Sequence, residues 1–232
     1  MEIKQAVEIF EKYGIKTSVD ANNMITISHY SQPNDTTFFE LGINEDELIE
    51  KVTICEGVFD ARKSKLTTFP LSASREIRLY EDNQITQMPE LKAVGTFVVN
   101  KNLKKLPKLK FVGSIQLENS PIKSIPKLKE AGIFIAQNSR LKELSSLETV
   151  ARLCIIDCPF EDLKNLKFAG DMFICSSDEN NKIDIQTLPK LEEAEKIFIA
   201  NSTLKSVPQL KKADKIAFYR SEEHTSELQS RP

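Results

Sequence analysis

Leu103-Lys104-Lys105-Leu106-Pro107-Lys108-Leu109 is followed nineteen residues on by Ile122-Lys123-Ser124-Ile125-Pro126-Lys127-Leu128, the same phrase with conservative changes. It returns as Ile185-Gln-Thr-Leu188-Pro-Lys-Leu191 and as Leu204-Lys-Ser-Val207-Pro-Gln-Leu210, and weaker copies open at Leu66, Ile85, Leu141 and Phe160. The openings at 66, 85, 103, 122, 141, 160, 185 and 204 are separated by 19, 18, 19, 19, 19, 25 and 19 residues. A half-copy precedes them, because Glu56 to Lys65 echoes Ala131 to Arg140. Self-similarity at a fixed period of this length is the mark of a solenoid. One such unit cannot bury its apolar edge alone, so stability has to come from stacking neighbours.

Numbering the opening Leu as position 1 puts apolar residues at positions 1, 4, 7, 10, 13 and 15 of each unit. Positions 13 and 15 alternate with variable residues, as in Ile115/Leu117, Phe134/Ala136, Leu153/Ile155 and Ile197/Ile199. That spacing predicts one short strand per coil with one buried face. Proline recurs at position 5, where it fixes φ and removes an N–H, so the return segment should be extended or a tight turn and not an α-helix.

The frame resembles the leucine-rich repeat, L-x-x-L-x-L-x-x-N/C-x-L. Val112-x-x-Ile115-x-Leu117-x-x-Ser120-x-Ile122 fits it, with Ser64, Asn83, Ser120, Ser139, Cys158 and Ser202 at the Asn/Cys place. There a small polar side chain could bond the backbone of the neighbouring coil. Strict Asn is mostly absent, although Asn119, Asn138 and Asn201 stand one residue earlier. The L-x-x-L-P-x-L phrase and the short period look most like bacterial short-repeat members of the family. The resemblance covers about residues 48 to 219. It implies an α/β solenoid, a right-handed stack of about eight coils with one parallel sheet and little or no helix between them. It also implies binding, of partners too diverse in the family to name one.

Residues 1 to 47 lack the repeat. Ile3, Ala6, Val7, Phe10 and Tyr13 form a helical stripe closed by Gly14. Lys16 to Asp20 and Met24 to His29 read as a hairpin around Ala21-Asn22-Asn23, and Asn44 as the N-cap of a short helix from Glu45 to about Lys51. The segment is expected to be a small α/β cap on the first coil, the alternative being a separate recognition module. At the other end, residues 220 to 232 break every preceding pattern and resemble a sequencing-adapter oligonucleotide translated in frame. The tail holds His224, which leaves His29 as the remaining histidine.

Chemistry is hard to place on this chain. A nucleophilic triad could use only His29. Cys154-x-x-x-Cys158 is the one close cysteine pair, and Cys158 already fills the repeat's turn position, so a zinc site is not expected. Gly95, Gly113, Gly132 and Gly170 recur at position 11 and read as bends entering the strand, not as a phosphate loop. Lys+Arg (32) and Asp+Glu (34) nearly cancel, without the basic field of a nucleic-acid binder. No apolar run reaches the ~20 residues that would span a bilayer. Four cysteines without a C-x-x-C pair favour reduced thiols and a cytoplasmic setting.

The anomaly lies on the strand's other side. Position 14 reads Arg78, Val98, Gln116, Ile135, Cys154, Phe173, Phe198, Ala217, and position 16 includes Tyr80, Ile156, Cys175 and Tyr219. From Ile135 onward position 14 is apolar throughout. A contiguous apolar patch on a face that should meet solvent marks an interaction site. Two other readings stay open: strand propensity alone, since Val, Ile and Phe favour strands even when exposed, and burial beneath a further C-terminal segment. Ser176 to Lys182, the insertion behind the 25-residue spacing, should loop out beside the Phe173 strand as part of a binding face or as a neutral loop.

The expectation is a non-enzymatic, monomeric protein-binding module without cofactor or metal, engaging neither nucleic acid nor membrane. Val98, Ile135, Cys154, Ile156, Phe173, Phe198 and Tyr80 are its candidate partner-binding residues. The alternative is the targeting solenoid of a bacterial effector or regulator whose catalytic C-terminal part is missing.

Overall fold

The computed structural model describes residues 1–31, 45–60, 66–79, 84–99, 101–178 and 183–219. Expectations placed on Asn44, Ser64, Tyr80, Asn83 and the tail from residue 220 lie outside the described residues. The chain divides into two compact units, residues 1–109 and 110–232.

The first unit opens with helix α1 (Ile3–Lys12), which buries Ala6 and Phe10. Gly14 ends it at φ +72°, a left-handed conformation that costs glycine least. Strands β1 (Thr17–Val19) and β2 (Ile25–Ile27) form an antiparallel hairpin. The Asp20 carboxylate closes it by accepting the Asn22 and Met24 N–H groups at 2.8 and 2.9 Å. After β3 (Tyr30–Ser31) and the short helix α2 (Glu45–Ile49) come β4 (Val52–Asp60), β5 (Ala73–Arg78) and β6 (Ala93–Val98). Both β2 and β3 pair parallel with β4, and β4 to β6 pair parallel in turn. The N-terminal segment also shares the coils' core. Tyr30 packs edge-on against Phe10 with ring centroids 6.4 Å apart and lies 5.5 Å from Phe59, which meets Phe69 at 5.2 Å.

The described residues of the second unit form repeat coils. Strands β7 (Phe111–Glu118), β8 (Glu130–Gln137), β9 (Thr149–Ile156), β10 (Phe168–Cys175), β11 (Glu193–Ala200) and β12 (Lys212–Tyr219) pair parallel, each with the next. The register puts equal repeat positions side by side, as in Ile115, Phe134, Leu153, Met172, Ile197 and Ile216. The return segments stack through isolated parallel bridges at position 3, as in Ser124, Glu143 and Asp162. They turn on a bond from the position-7 N–H to the position-4 carbonyl, 3.2 Å from Leu128 to Ile125 and 2.9 Å from Leu147 to Leu144. The recurrent Pro stands second in this turn, where a φ near −65° is wanted and no N–H is lost. Among the described residues no helix lies between coils. The fold is therefore a β-solenoid with a mostly parallel sheet.

The core is the stack of the six apolar rows. In one coil Ile122, Ile125, Leu128, Phe134 and Ala136 are fully buried and Ala131 is 7% exposed. Each large side chain so buried contributes about 1.5–3 kcal/mol. Two details depart from simple alternation. Positions 10 and 13 both point inward, so positions 11 and 12 both face out, and strand pairing skips position 11. At this kink a Cβ on Gly132 would collide with the Gly113 carbonyl oxygen, and one on Gly170 with that of Ala151. The glycines thus let neighbouring backbones close up, and Ala151 and Glu195 in the same row show that this closeness is local.

The second detail is the turn after the strand. Asn119, Asn138, Asp157 and Asn201, all at position 17, have φ of +49 to +50°. Asn and Asp tolerate this left-handed conformation best among residues with a Cβ. The serines that follow do not bond the next coil's backbone in the expected way. Ser120 and Ser139 Oγ accept the N–H two residues further along their own coil, at 3.3 and 3.4 Å. Cys158 does reach across, its thiol 3.6 Å from the Ala136 carbonyl oxygen and 3.2 Å from the Ser139 hydroxyl.

Candidate binding face on the outer side of the sheet

Strand register assembles the position-14 row. Gln116, Ile135, Cys154, Phe173, Phe198 and Ala217 are direct neighbours across β7 to β12. Their flanking positions 13 and 15 are buried from Ile115 to Ile199, so the row points outward. From Ile135 to Ala217 these side chains are half-buried. Phe173 and Phe198 stack nearly parallel, 4.5 Å between centroids and 8° between planes, and Phe198 meets Tyr219 at 5.1 Å. Ile156 and Cys175 lie side by side on β9 and β10 next to this ladder, both half-buried. Tyr219, at position 16 of β12 beside Ala200, is 47% exposed.

The remaining candidates stand elsewhere. Val98, 43% exposed, is on β6 in the first unit beside Arg78. Tyr80 lies outside the described residues. The insertion is tied down where it leaves β10, because Asp157 accepts the Ser177 N–H at 2.6 Å and its hydroxyl at 2.9 Å.

Sequence reading missed a second feature of this face. Positions 9 to 11 line a shallow groove of about 460 Å³ across β7 to β10. Phe111 and Phe168, 44% and 38% exposed, stand at its ends, and Glu130 and Thr149 between them complete one register row. Val112, Ala131, Val150, Gly113, Gly132 and Ala151 complete the lining. The available signal was Phe at position 9 of two coils, Phe111 and Phe168, outside the six apolar rows.

The electrostatics around the face are muted. Lys129 and Lys167 hold Glu148 between them at 3.4 and 2.9 Å, which draws its carboxyl below the usual carboxylate range. Lys196 pairs with Asp171 at 3.2 Å. The thiols of Cys154 and Cys175 are pushed up, first by burial and then by neighbouring negative charge. A protonated thiol is a poor nucleophile and a poor metal ligand. Among the described residues no three His, Cys, Asp or Glu side chains are grouped to hold a metal ion, and no helix is long and apolar enough to cross a membrane.

No protein-family model, curated protein or solved structure matches the chain significantly. Fold and site together define a class: a parallel β-solenoid with an aromatic, part-exposed row along the outer face of its sheet.

Proposed function

We propose that this chain is a non-enzymatic, protein-binding module of the leucine-rich-repeat type, and that the outer face of its sheet engages the partner. The observation that carries this reading is the part-exposed run Ile135, Cys154, Phe173 and Phe198, aligned by register while its inward neighbours are buried. Large aromatics near the centre of a patch dominate interface energetics, which singles out Phe173 and Phe198. The six-row match to the repeat frame supports the leucine-rich-repeat assignment. In this reading the chain works as a monomer without a cofactor in a reducing, cytoplasmic setting, where Cys154 and Cys175 stay as thiols.

The test is affinity capture from the source cell with the intact chain, with Phe173→Asp/Phe198→Asp, and with Lys123→Glu on the return face as control. A partner retained by the first and third and lost by the second is the expected result. Identical retention by all three would move the binding site off this row.

A further inference from the structure

We infer that the open end of the coil stack at β12 pairs with the same end of a second copy of this chain, β12 to β12, antiparallel about a two-fold axis at Ala217. The inference goes beyond the outer-face reading. It leaves that face in place and turns the monomer of that reading into half of a symmetric pair.

Among the described residues β12 pairs with β11 alone, so its other edge carries N–H and C=O groups without a strand partner. Val207, Leu210, Ala213, Ile216 and Phe218 are half-buried, whereas Leu188, Leu191, Ala194, Ile197 and Ile199, at the same positions one coil earlier, are buried. An edge strand flanked by open apolar side chains is a template for another chain. Residues 220 to 232 hold Leu228 as their one aliphatic side chain, too little to fill these core rows. In the first unit Phe10, Ile25, Ile27 and Tyr30 are fully buried, so the coil end there is already filled. The surface on this chain that complements an open coil end is therefore the open coil end itself, and a self-complementary patch closes a two-fold dimer.

Register follows from the way the side chains point. Opposite residues of an antiparallel pair lie on the same face of the sheet. Ile216 and Phe218 face inward with Ile197 and Ile199, their neighbours on β11, and Ala217 faces outward with Phe198. A two-fold at Ala217 sets Ile216 against Phe218 of the second copy, and Phe218 against its Ile216. A two-fold one residue earlier would set Phe218 against Asp214, and one residue later would carry Ile216 past Tyr219, the end of β12. A two-fold between residues would set inward side chains against outward ones. The smallest outward side chain of β12, Ala217, then sits on the axis, where the copies come closest. Lys215 lies opposite Tyr219 of the second copy, whose ring face attracts an ammonium group. The two Lys215 side chains stand about 14 Å apart, four residues along and one strand across, beyond the screening length of about 8 Å at physiological salt. The axis also makes the outer row continuous: Phe173, Phe198 and Ala217 of one copy run on into Ala217, Phe198 and Phe173 of the other.

The test is sedimentation velocity on the full chain from about 1 to 200 µM, the range in which a small interface associates. The last coil, residues 204–219, is smaller than the roughly 20–30 residues a side of a standard interface, so the dimer should form at micromolar concentration. Ala217→Glu and Ala217→Lys, each at an outward position, should keep the parent's circular dichroism and weaken dimerisation at least about tenfold, because like charges meet at the axis. Mixing these two variants should restore the dimer, since Glu then faces Lys. Tyr219→Lys, on an exposed side chain and opposite Lys215 across the axis, should weaken the dimer in the same way. A parent chain that stays monomeric throughout, a dimer indifferent to these substitutions, or a Glu/Lys mixture that stays monomeric would each overturn the inference. Those outcomes leave the Phe173/Phe198 capture result untouched, and capture lost while the dimer persists would sink only the outer-face reading.

Discussion

The stacked rings of Phe173 and Phe198 make a quantitative prediction that separates an outer face from a packed layer. Each ring is half-buried, so truncation to Ala forfeits about half of a fully buried Phe, on the order of 1 kcal/mol per ring. Parallel stacking at 4.5 Å adds about 0.5–1.5 kcal/mol beyond area, and either truncation removes it. Phe173→Ala and Phe198→Ala should each cost about 2 kcal/mol, and the pair about 3 kcal/mol. The sum of the singles then exceeds the double by about 1 kcal/mol, the coupling expected of neighbours in contact. Phe134→Ala, at a fully buried inward position on β8, is the internal control and should cost about 3–5 kcal/mol. Urea unfolding gives the four values, and hydrogen exchange guards against local opening, which stacked repeats permit. Zero coupling would mean the rings do not stack in solution. Single costs equal to that of Phe134→Ala would mean they sit inside a covered layer, and the outer face would not be free for a partner.

Other measurements test the coil geometry and the surface chemistry. Gly132→Ala should destabilise by about 1–3 kcal/mol, the usual cost of overpacking, because its methyl meets the Gly113 carbonyl oxygen; an unchanged denaturation midpoint would refute the close approach. At Asn138, with φ +49°, Asn138→Gly should be tolerated while Asn138→Val costs about 1–2 kcal/mol, and equal effects would remove the left-handed turn. Alkylation of Cys154 and Cys175 by iodoacetamide should be slower than that of free cysteine at pH 8. Its rate should still be climbing above the usual thiol pKa of about 8.5, because burial holds both thiols protonated. For Glu148, whose folded-state pKa is lowered by Lys167 and Lys129, the stabilisation is present above the ordinary carboxylate pKa and lost as pH falls through the lowered one. Glu148→Gln should therefore flatten the acid limb of the melting-temperature profile slightly at low salt, and not at all at 1 M salt, where screening acts within about 3 Å.

The nineteen-residue period and the six apolar positions were enough to predict one strand per coil, a parallel stack and helix-free returns, because a repeating chain leaves its apolar edge only one way to be buried. Strand register followed too: identical units stack in phase, so Ile135, Cys154, Phe173 and Phe198 had to become neighbours. The helix of residues 3–12 and the hairpin after it were equally legible, from a 3.6-residue stripe and an Asn-rich turn. What periodicity could not supply was the local backbone path. Asn at position 17 proved to be the left-handed turn residue, and the serine after it bonds its own coil, since φ at one residue leaves no trace in an apolar pattern. The kink at positions 11 and 12 depends on how closely one coil's carbonyl approaches the next coil's backbone. The part-burial of the position-14 ladder was likewise decided only in three dimensions, because how far one ring covers its neighbour is set by packing across strands and not by the order of residues along any one of them.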